Sequence, residues 1–131
     1  SAAGVHIQMI VRSICCLVPG MPGISENISV KRIVDRYLEH GRVFIFHNNG
    51  CNNMYLGSAD WMNRNIYSRI EVCFPVHDEA IKKEVMQIIE YQLNDNVQTV
   101  HINNTPAISS QEKIKSQSVI QQFIAAKEKL L

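Results

Sequence analysis

The sequence predicts an α/β fold in which a mixed β-sheet is flanked by helices. Short runs of β-branched and aromatic residues alternate with segments of helical periodicity, and turns rich in Gly, Asn and Pro separate them. With 131 residues, the chain has the length of one domain with a single core. Its 46% hydrophobic and 19% charged residues are typical of globular proteins and argue against a disordered chain.

The first predicted strand lies in the nearly apolar residues 5–18 and ends before Pro19. Residues 19–23, which are rich in Pro and Gly, form a predicted loop. The apolar positions of residues 28–38 fit neither the strand period nor the helix period cleanly. We therefore expect a short strand or turn there, followed by about two helical turns through Arg36.

A β-hairpin is predicted next along the chain. Residues 43–46 form a compact apolar run, and the Asn49-Gly50 pair favours a tight reversal. Residues 54–56 are therefore expected to return antiparallel beside the first run. Gly57 and Ser58 then allow the backbone to turn sharply and to approach a ligand closely.

Caps and periodicity predict the elements that follow the hairpin. Asp60 is expected to cap a short helix that runs through Arg64. Residues 69–74 alternate as a strand, which Pro75 ends. Residues 78–93 carry the clearest helix signal, with an Asp cap and one apolar stripe. The stripe consists of Ile81, Val85, Ile88, Ile89 and Leu93.

The last part of the chain is predicted to contain a strand and a helix. Residues 97–102 have strand composition, and residues 103–107 form a linker. Ser109 and Glu112 have capping-box spacing and open the final helix. Its apolar residues are Ile114, Val119, Ile120, Phe123, Ile124 and Leu131.

The distribution of charge indicates an anion-binding first half. The net charge of +1 gives no support to a strongly basic nucleic-acid-binding protein. Every arginine lies before residue 70, whereas every lysine except Lys31 lies after it. A guanidinium group suits phosphate oxygens, whereas lysine is the usual residue of solvated helix faces. The arginines are Arg12, Arg32, Arg36, Arg42, Arg64 and Arg69.

The four cysteines are predicted to be reduced thiols of an intracellular protein. Cys15 and Cys16 are adjacent in an apolar run, and the sequence has neither a C-x-x-C motif nor zinc-ligand spacing. His47 and Cys51 alone are too few ligands for a metal site, so no metal site is predicted. The sequence shows no signal peptide and no apolar segment of membrane length.

Residues suited to phosphate chemistry border both strands of the predicted hairpin. His40 and Arg42 lie at the entrance to the first strand, and Ser58 and Asp60 follow the second, with Arg64 close behind. This concentration exceeds what a core requires, and it predicts a functional site.

Arg12 raises a separate question because it lies within a predicted buried strand. An arginine there must meet an anion or a carboxylate such as that of Glu71. The residues alone leave a structural ion pair and a phosphate ligand equally favoured.

The pattern His40-x-Arg42, followed one hairpin later by Gly57-Ser58-x-Asp60, resembles one half of the phospholipase D-like fold. That superfamily carries H-x-K, an Asp after four further residues, and a G-S-x-N/D element. Arg42 replaces the Lys here, and His47 occupies the Asp position. These departures argue against simple phosphodiesterase activity.

A closer resemblance covers the chain from about residue 5 to its end. The chain is similar to the C-terminal, second phospholipase D-like domain of family-1 polyphosphate kinases. The motifs that carry the resemblance are residues 11–20 (VRSICCLVPG), 33–40 (IVDRYLEH), 46–50 (FHNNG) and 58–66 (SADWMNRNI).

The resemblance implies a kinase that reversibly transfers the γ-phosphoryl group of ATP to polyphosphate. In that family a phosphohistidine in the preceding domain carries the phosphoryl group, so this chain would be a fragment of a longer enzyme and inactive alone. The family's second histidine matches His40, the catalytic residue expected here. Arg12 and Arg69 match arginines that, with His40, bind the nucleotide phosphates. Supporting roles are expected for Arg42, Ser58, Asp60 and Arg64.

The same resemblance implies the substrates and partners. ATP or ADP and polyphosphate are the expected substrates, and Mg²⁺ is expected in the complete enzyme without ligands from this domain. The expected partners are the other domains of the same chain and further copies in a homo-oligomer, with no nucleic acid. The expected location is the cytoplasm, with a peripheral position at the inner membrane face as a variant.

Two other functions stay open at this point. One is half of a phospholipase D-like phosphodiesterase or nuclease that completes its site by dimerising. The other is a noncatalytic module that binds polyanions.

Overall fold

The computed structural model describes residues 1–102 and 112–129 and confirms the α/β class. The strands are β1 (Ile7–Ile10), β2 (Ile28–Ile33), β3 (Arg42–Phe46), β4 (Asn53–Gly57), β5 (Cys73–Pro75) and β6 (Thr99–His101). The helices are α1 (Asn63–Ser68), α2 (Glu79–Asn94) and α3 (Ser116–Glu128), with a 3₁₀ turn at Asn48–Gly50. The chain divides into two compact units, one of Ser1–Glu39 with the chain from Ile88 onward, the other of His40–Gln87.

The first unit is built on a three-stranded mixed sheet with the order β1-β2-β6. β1 pairs in parallel with β2, and β6 pairs antiparallel on the other side of β2. The central strand therefore supplies the core, with Val30 1% exposed and Ile33 4% exposed. Tyr91 of α2 and Phe123 of α3 meet edge to face at 5.9 Å between ring centroids, which packs the two helices together.

A buried pair of charged residues joins the elements of the first unit. Lys31, on the central strand, donates its Nζ hydrogen bond to the carbonyl oxygen of Leu93 in the last turn of α2. Asp95 accepts from the backbone N–H groups of Val97, Gln98 and Ser116 at 2.7–3.0 Å. This carboxylate therefore fixes both the chain after α2 and the start of α3.

The second unit is an antiparallel three-stranded sheet with the order β3-β4-β5. The predicted hairpin is confirmed: β3 and β4 pair in register from Arg42–Gly57 to Phe46–Asn53. Asn48 and Asn49 take positive φ values of 42° and 53° in the reversal, a conformation that Asn tolerates better than most residues.

Gly57 shows why the end of this hairpin needs a small residue. A Cβ atom at that position would lie 3.3 Å from the carbonyl oxygen of Val72, so a larger residue would press on the strand beside it.

Several predicted elements are shorter than expected or of another type. β1 covers only 7–10 of the predicted 5–18, and β5 covers only 73–75. Pro75 lies opposite Tyr55 as the last residue of β5, so the strand ends at this proline. The helical turns predicted through Arg36 are wrong. Residues 28–33 form the central strand and residues 35–37 form bends, because pairing on both sides of β2 overrides a mixed local pattern.

The predicted helix of residues 78–93 is confirmed as α2. Asp78 caps it through hydrogen bonds from the N–H groups of Ala80 and Ile81 at 2.8 and 3.0 Å. α3 begins at Ser116 without a side-chain cap. The predicted linker at 103–107 and the predicted capping residue Ser109 lie outside the described residues.

Candidate functional site

The candidate site of the second unit begins with His40 and Arg42. The Nη1 group of Arg42 donates to the backbone oxygen of His40 at 2.7 Å and lies 2.8 Å from the Nδ1 atom of its ring, closer than the 3.3 Å to Nε2. Because one Nη1 atom lies within 3.3 Å of both ring nitrogens, the guanidinium group faces the imidazole ring. Arg42 therefore holds the ring of His40 in position.

Arg42 itself is held by Asp60. Its Nε and Nη2 atoms lie 3.2 and 2.9 Å from one oxygen of the Asp60 carboxylate. The Arg42 side chain is 16% exposed and that of Asp60 33%, so this ion pair is partly shielded from water.

The predicted role of Asp60 as a helix cap is wrong. α1 begins at Asn63, and Met62 precedes it without a side-chain cap. A hydrogen bond from a cationic guanidinium is stronger than one from a neutral backbone N–H group, which explains the preference of the Asp60 carboxylate.

A second cluster surrounds Glu71. Ser58 donates its hydroxyl hydrogen to Oε2 of Glu71 at 2.5 Å, and Asn65 donates from Nδ2 to Oε1 at 2.8 Å. The Ser58 hydroxyl also accepts from the N–H of Val72 at 3.1 Å. Asn65 is only 3% exposed, so this carboxylate is anchored from inside the unit.

The negative charge of Glu71 interacts with the positive charge of Arg42, which belongs to the group of His40, Arg42 and Asp60. Hydrogen bonds from Ser58 and Asn65 lower the pKa of the Glu71 carboxyl, and the positive charges of Arg69 and Arg42 lower it further. Glu71 therefore stays ionised at neutral pH.

Sequence reasoning missed this role of Glu71, which it considered only as an ion-pair partner of an arginine, and it missed Asn65 altogether. The one usable signal was the alternation of residues 69–74, which places Arg69 and Glu71 on the same side of an extended chain.

The other three predicted site residues are arginines that lie in different parts of the structure. Arg64 is exposed on α1, and Arg69, also exposed, directly follows that helix. Arg12 belongs to the first unit, where it lies two residues after β1 and is half-buried. Its Nη1 atom is buried without a hydrogen-bond partner among the residues described, so one donor of that guanidinium is open.

Within residues 1–102 and 112–129, no three His, Cys, Asp or Glu side chains come together as metal ligands, and no helix is long and apolar enough to cross a membrane. All four cysteines are free thiols in the structure. Both oxygens of the Glu71 carboxylate hold hydrogen bonds, and Asp60 is paired with Arg42.

Comparison with known proteins gives one consistent match. The family model "Polyphosphate kinase C-terminal domain 2" matches residues 1–123. The polyphosphate kinase of Vibrio vulnificus strain YJ016 is 46% identical over 134 residues, which cover 98% of this chain and 19% of that protein. The polyphosphate kinase of Staphylococcus haemolyticus is 56% identical over 96 residues, which cover 73% and 13%.

A solved structure matches over the same extent. The crystal structure of polyphosphate kinase from Porphyromonas gingivalis superposes with a TM-score of 0.92 and is 43% identical, covering 99% of this chain and 21% of that one. The chain thus spans only about a fifth of the length of the relatives that it matches along its whole length.

Proposed function

This chain belongs to the polyphosphate kinase C-terminal domain 2 family, and from that premise we propose that it forms one wall of a polyphosphate kinase active site. The complete enzyme transfers the γ-phosphoryl group of ATP reversibly to polyphosphate through a phosphohistidine in the preceding part of the chain. The observation that carries the residue-level proposal is the contact between Arg42 and His40. The Nη1 group of Arg42 donates to the backbone oxygen of His40 and lies 2.8 Å from Nδ1 of its ring.

His40 acts on the leaving group in this proposal. Phosphoryl transfer needs positioned charge more than covalent chemistry, because the charge in flight spreads over the phosphate oxygens. In its protonated form, the imidazole of His40 can donate a proton to the leaving oxygen of ADP and return to the neutral form. Arg42 and Asp60 orient this imidazole, and Arg42 adds positive charge beside it.

Arg12 and Arg69 are the proposed ligands of the nucleotide phosphates. The open, buried donor of Arg12 supports this assignment because a buried guanidinium N–H requires an acceptor, and a phosphate oxygen can supply one. Arg69 is exposed and so accessible to an anion. Ser58 supports the site by holding Glu71, and Arg64 is proposed as a further positive charge near the phosphates.

Mg²⁺ enters this proposal with the nucleotide. When bound to ATP it neutralises phosphate charge during transfer. The carboxylates of the candidate site fit it poorly, because Asp60 is paired with Arg42 and both oxygens of Glu71 accept hydrogen bonds. We therefore expect no Mg²⁺ ligand from this part of the enzyme.

The other domains of the complete chain are the proposed partners. Large apolar side chains lie exposed between residues 61 and 74, among them Trp61 at 73%, Tyr67 at 82% and Ile70 fully exposed. Exposed apolar side chains in such number are typical of surfaces that another protein segment covers. The proposal further places the enzyme in the cytoplasm, where ATP is available, as a homo-oligomer.

The test compares this chain alone with a complete enzyme that contains it, each incubated with ATP labelled at the γ-phosphate. The complete enzyme is expected to form labelled polyphosphate and an acid-labile phosphohistidine outside residues 1–131. The chain alone is expected to form neither. A stable label on His40 would contradict the division of roles. Phosphate binding without turnover, even in the complete enzyme, would favour a polyanion-binding module instead.

A substitution at Arg42 separates its charge from its geometry. Arg42→Lys keeps the charge but cannot bond Asp60 and His40 at once. Because the ion pair is partly exposed, the free energy of unfolding should fall by less than about 1 kcal/mol. Polyphosphate synthesis by the complete enzyme should fall by about tenfold or more, since His40 loses its fixed orientation.

The matched control is Arg36→Lys, because Arg36 is exposed and lies outside the candidate site. Steady-state kinetics and urea unfolding measure the two effects. If Arg42→Lys and Arg36→Lys gave the same turnover, Arg42 would not orient His40.

A further inference from the structure

Four hydrogen bonds hold the chain directly before His40. Gln117 of α3 accepts from the N–H of Tyr37 at 2.9 Å and donates to its carbonyl oxygen at 2.8 Å. The same amide donates to Oε1 of Glu39 at 2.8 Å, and Gln92 of α2 donates to Oε2 of Glu39 at 2.8 Å. The segment from Tyr37 to Glu39 is thus bonded to two helices.

This arrangement fixes both backbone and side chain. Gln117 bonds the N–H and C=O of one residue, as a neighbouring β-strand does, and Glu39 has an amide donor on each carboxylate oxygen. All these groups lie in the first unit and line one groove, together with Ile88 and Ile120. Apolar walls exclude some water and so strengthen the hydrogen bonds.

The segment needs such bonds because it has no regular structure of its own. Residues 35–37 are bends, and 38–41 belong to neither a helix nor a strand. A segment without helix or strand hydrogen bonds keeps one conformation only if side-chain contacts hold it. The contacts end at Glu39, which is joined to His40 by a peptide bond.

We propose that Glu39, Gln92 and Gln117 are positioning residues for His40. They hold the segment from Tyr37 to Glu39, which leads directly into His40, while Arg42 contacts the ring. This inference rests on the proposed function of His40 in phosphoryl transfer. A displacement of about 1 Å of a catalytic group can reduce a rate by as much as 10²-fold, so anchoring this segment matters for turnover.

Exchanging the side chains of Glu39 and Gln92 tests the inference in the complete enzyme. In Glu39→Gln, one side-chain oxygen becomes an NH₂ group and the acceptor loses its charge, so the charge-assisted hydrogen bonds from Gln92 and Gln117 are lost. In Gln92→Glu, two carboxylates face each other. The double variant E39Q/Q92E restores the match. The amide introduced at position 39 then donates to the carboxylate introduced at position 92, and the oxygen of that amide still accepts from Gln117.

We expect the double variant to recover the activity that each single variant loses, and we expect kcat to change while the KM for ATP does not. Each single variant should lower kcat by about tenfold, and the double variant should recover to within about threefold of wild type. The KM for ATP should stay within about twofold throughout, because none of these residues is a proposed ligand of the nucleotide. Gln121→Ala is the matched control. Gln121 lies one helical turn after Gln117 and lines the same groove, but it takes no part in the four bonds.

The inference would be overturned if kcat were the same in Glu39→Gln, Gln92→Glu and the control Gln121→Ala. This includes the case in which the Glu39 and Gln92 variants lower the Tm but leave kcat unchanged. A double variant no better than the single ones would also overturn it. His40→Ala is measured in parallel. If it abolishes turnover while the variants of Glu39 and Gln92 do not, the proposed function stands and only the positioning role fails. If it keeps wild-type turnover, the proposed role of His40 fails, and the positioning role fails with it.

Discussion

Replacing His40 with alanine in the complete enzyme is expected to lower polyphosphate synthesis by about 10²–10⁴-fold, the usual cost of losing a positioned acid or base. The imidazole is exposed, and its Nδ1 atom lies 2.8 Å from Nη1 of Arg42. Removal therefore deletes one proton donor without opening a cavity in the core. The Tm should change little. His77→Ala is the matched control, since His77 is also exposed and lies outside the candidate site.

The glutamine variant separates two roles of His40. His40→Gln keeps a hydrogen-bond donor but cannot transfer a proton at neutral pH. A loss as deep as that of the alanine variant identifies proton transfer to the leaving group, and near-full activity identifies a phosphate clamp. Wild-type rates in both variants would remove His40 from the mechanism.

The largest effect on stability is expected at Asp95. This residue is 3% exposed, and its two oxygens accept three backbone N–H groups beside the buried Lys31. Asp95→Asn keeps the shape but replaces one acceptor with a donor and removes the charge. We expect a loss of about 2–4 kcal/mol in the free energy of unfolding, measured with urea and circular dichroism, because charge-assisted hydrogen bonds each contribute about 1.5–3 kcal/mol.

The effect of Asp95 should depend on pH. Burial opposes its ionisation, but hydrogen bonds from the backbone N–H groups of Ser116, Gln98 and Val97 lower its pKa below the ordinary value. Its stabilising contribution is therefore complete above the unfolded pKa of about 3.9 and is lost as the pH falls through the lower folded value.

The stability difference between wild type and Asp95→Asn should shrink in that acidic range. Asp78→Asn is the control, because Asp78 is an exposed helix cap and Asn caps equally well. Equal stability losses for Asp95→Asn and Asp78→Asn at pH 7 would contradict the role assigned to Asp95.

Sequence patterns correctly predicted those elements that depend on residues close together in the chain. The hairpin followed from two apolar runs around Asn49-Gly50, and α2 followed from the Asp78 cap and its apolar stripe. β1 was predicted too long because residues 11–18 keep strand composition after pairing with β2 has ended. The strand character of residues 28–33 was obscured because it depends on β6, which lies about 70 residues later.

The residue types of the candidate site could be predicted from the sequence, but only some of the contacts between these residues could. His40 and Arg42 are two residues apart, so their proximity could be inferred from sequence. The partners of Glu71 and Glu39 could not, because Ser58 is 13 residues from Glu71, and Gln92 and Gln117 are 53 and 78 residues from Glu39. Such contacts are set by how the chain folds back, which composition and periodicity do not specify.

The central claim is that Arg12, His40 and Arg69 surround the phosphates of the nucleotide in a polyphosphate kinase. A crystal structure of the complete enzyme with a non-hydrolysable ATP analogue tests it directly. The account predicts that the three side chains lie within hydrogen-bonding distance of phosphate oxygens, about 2.7–3.2 Å. A triphosphate bound elsewhere, with none of the three side chains in contact with it, would contradict the account.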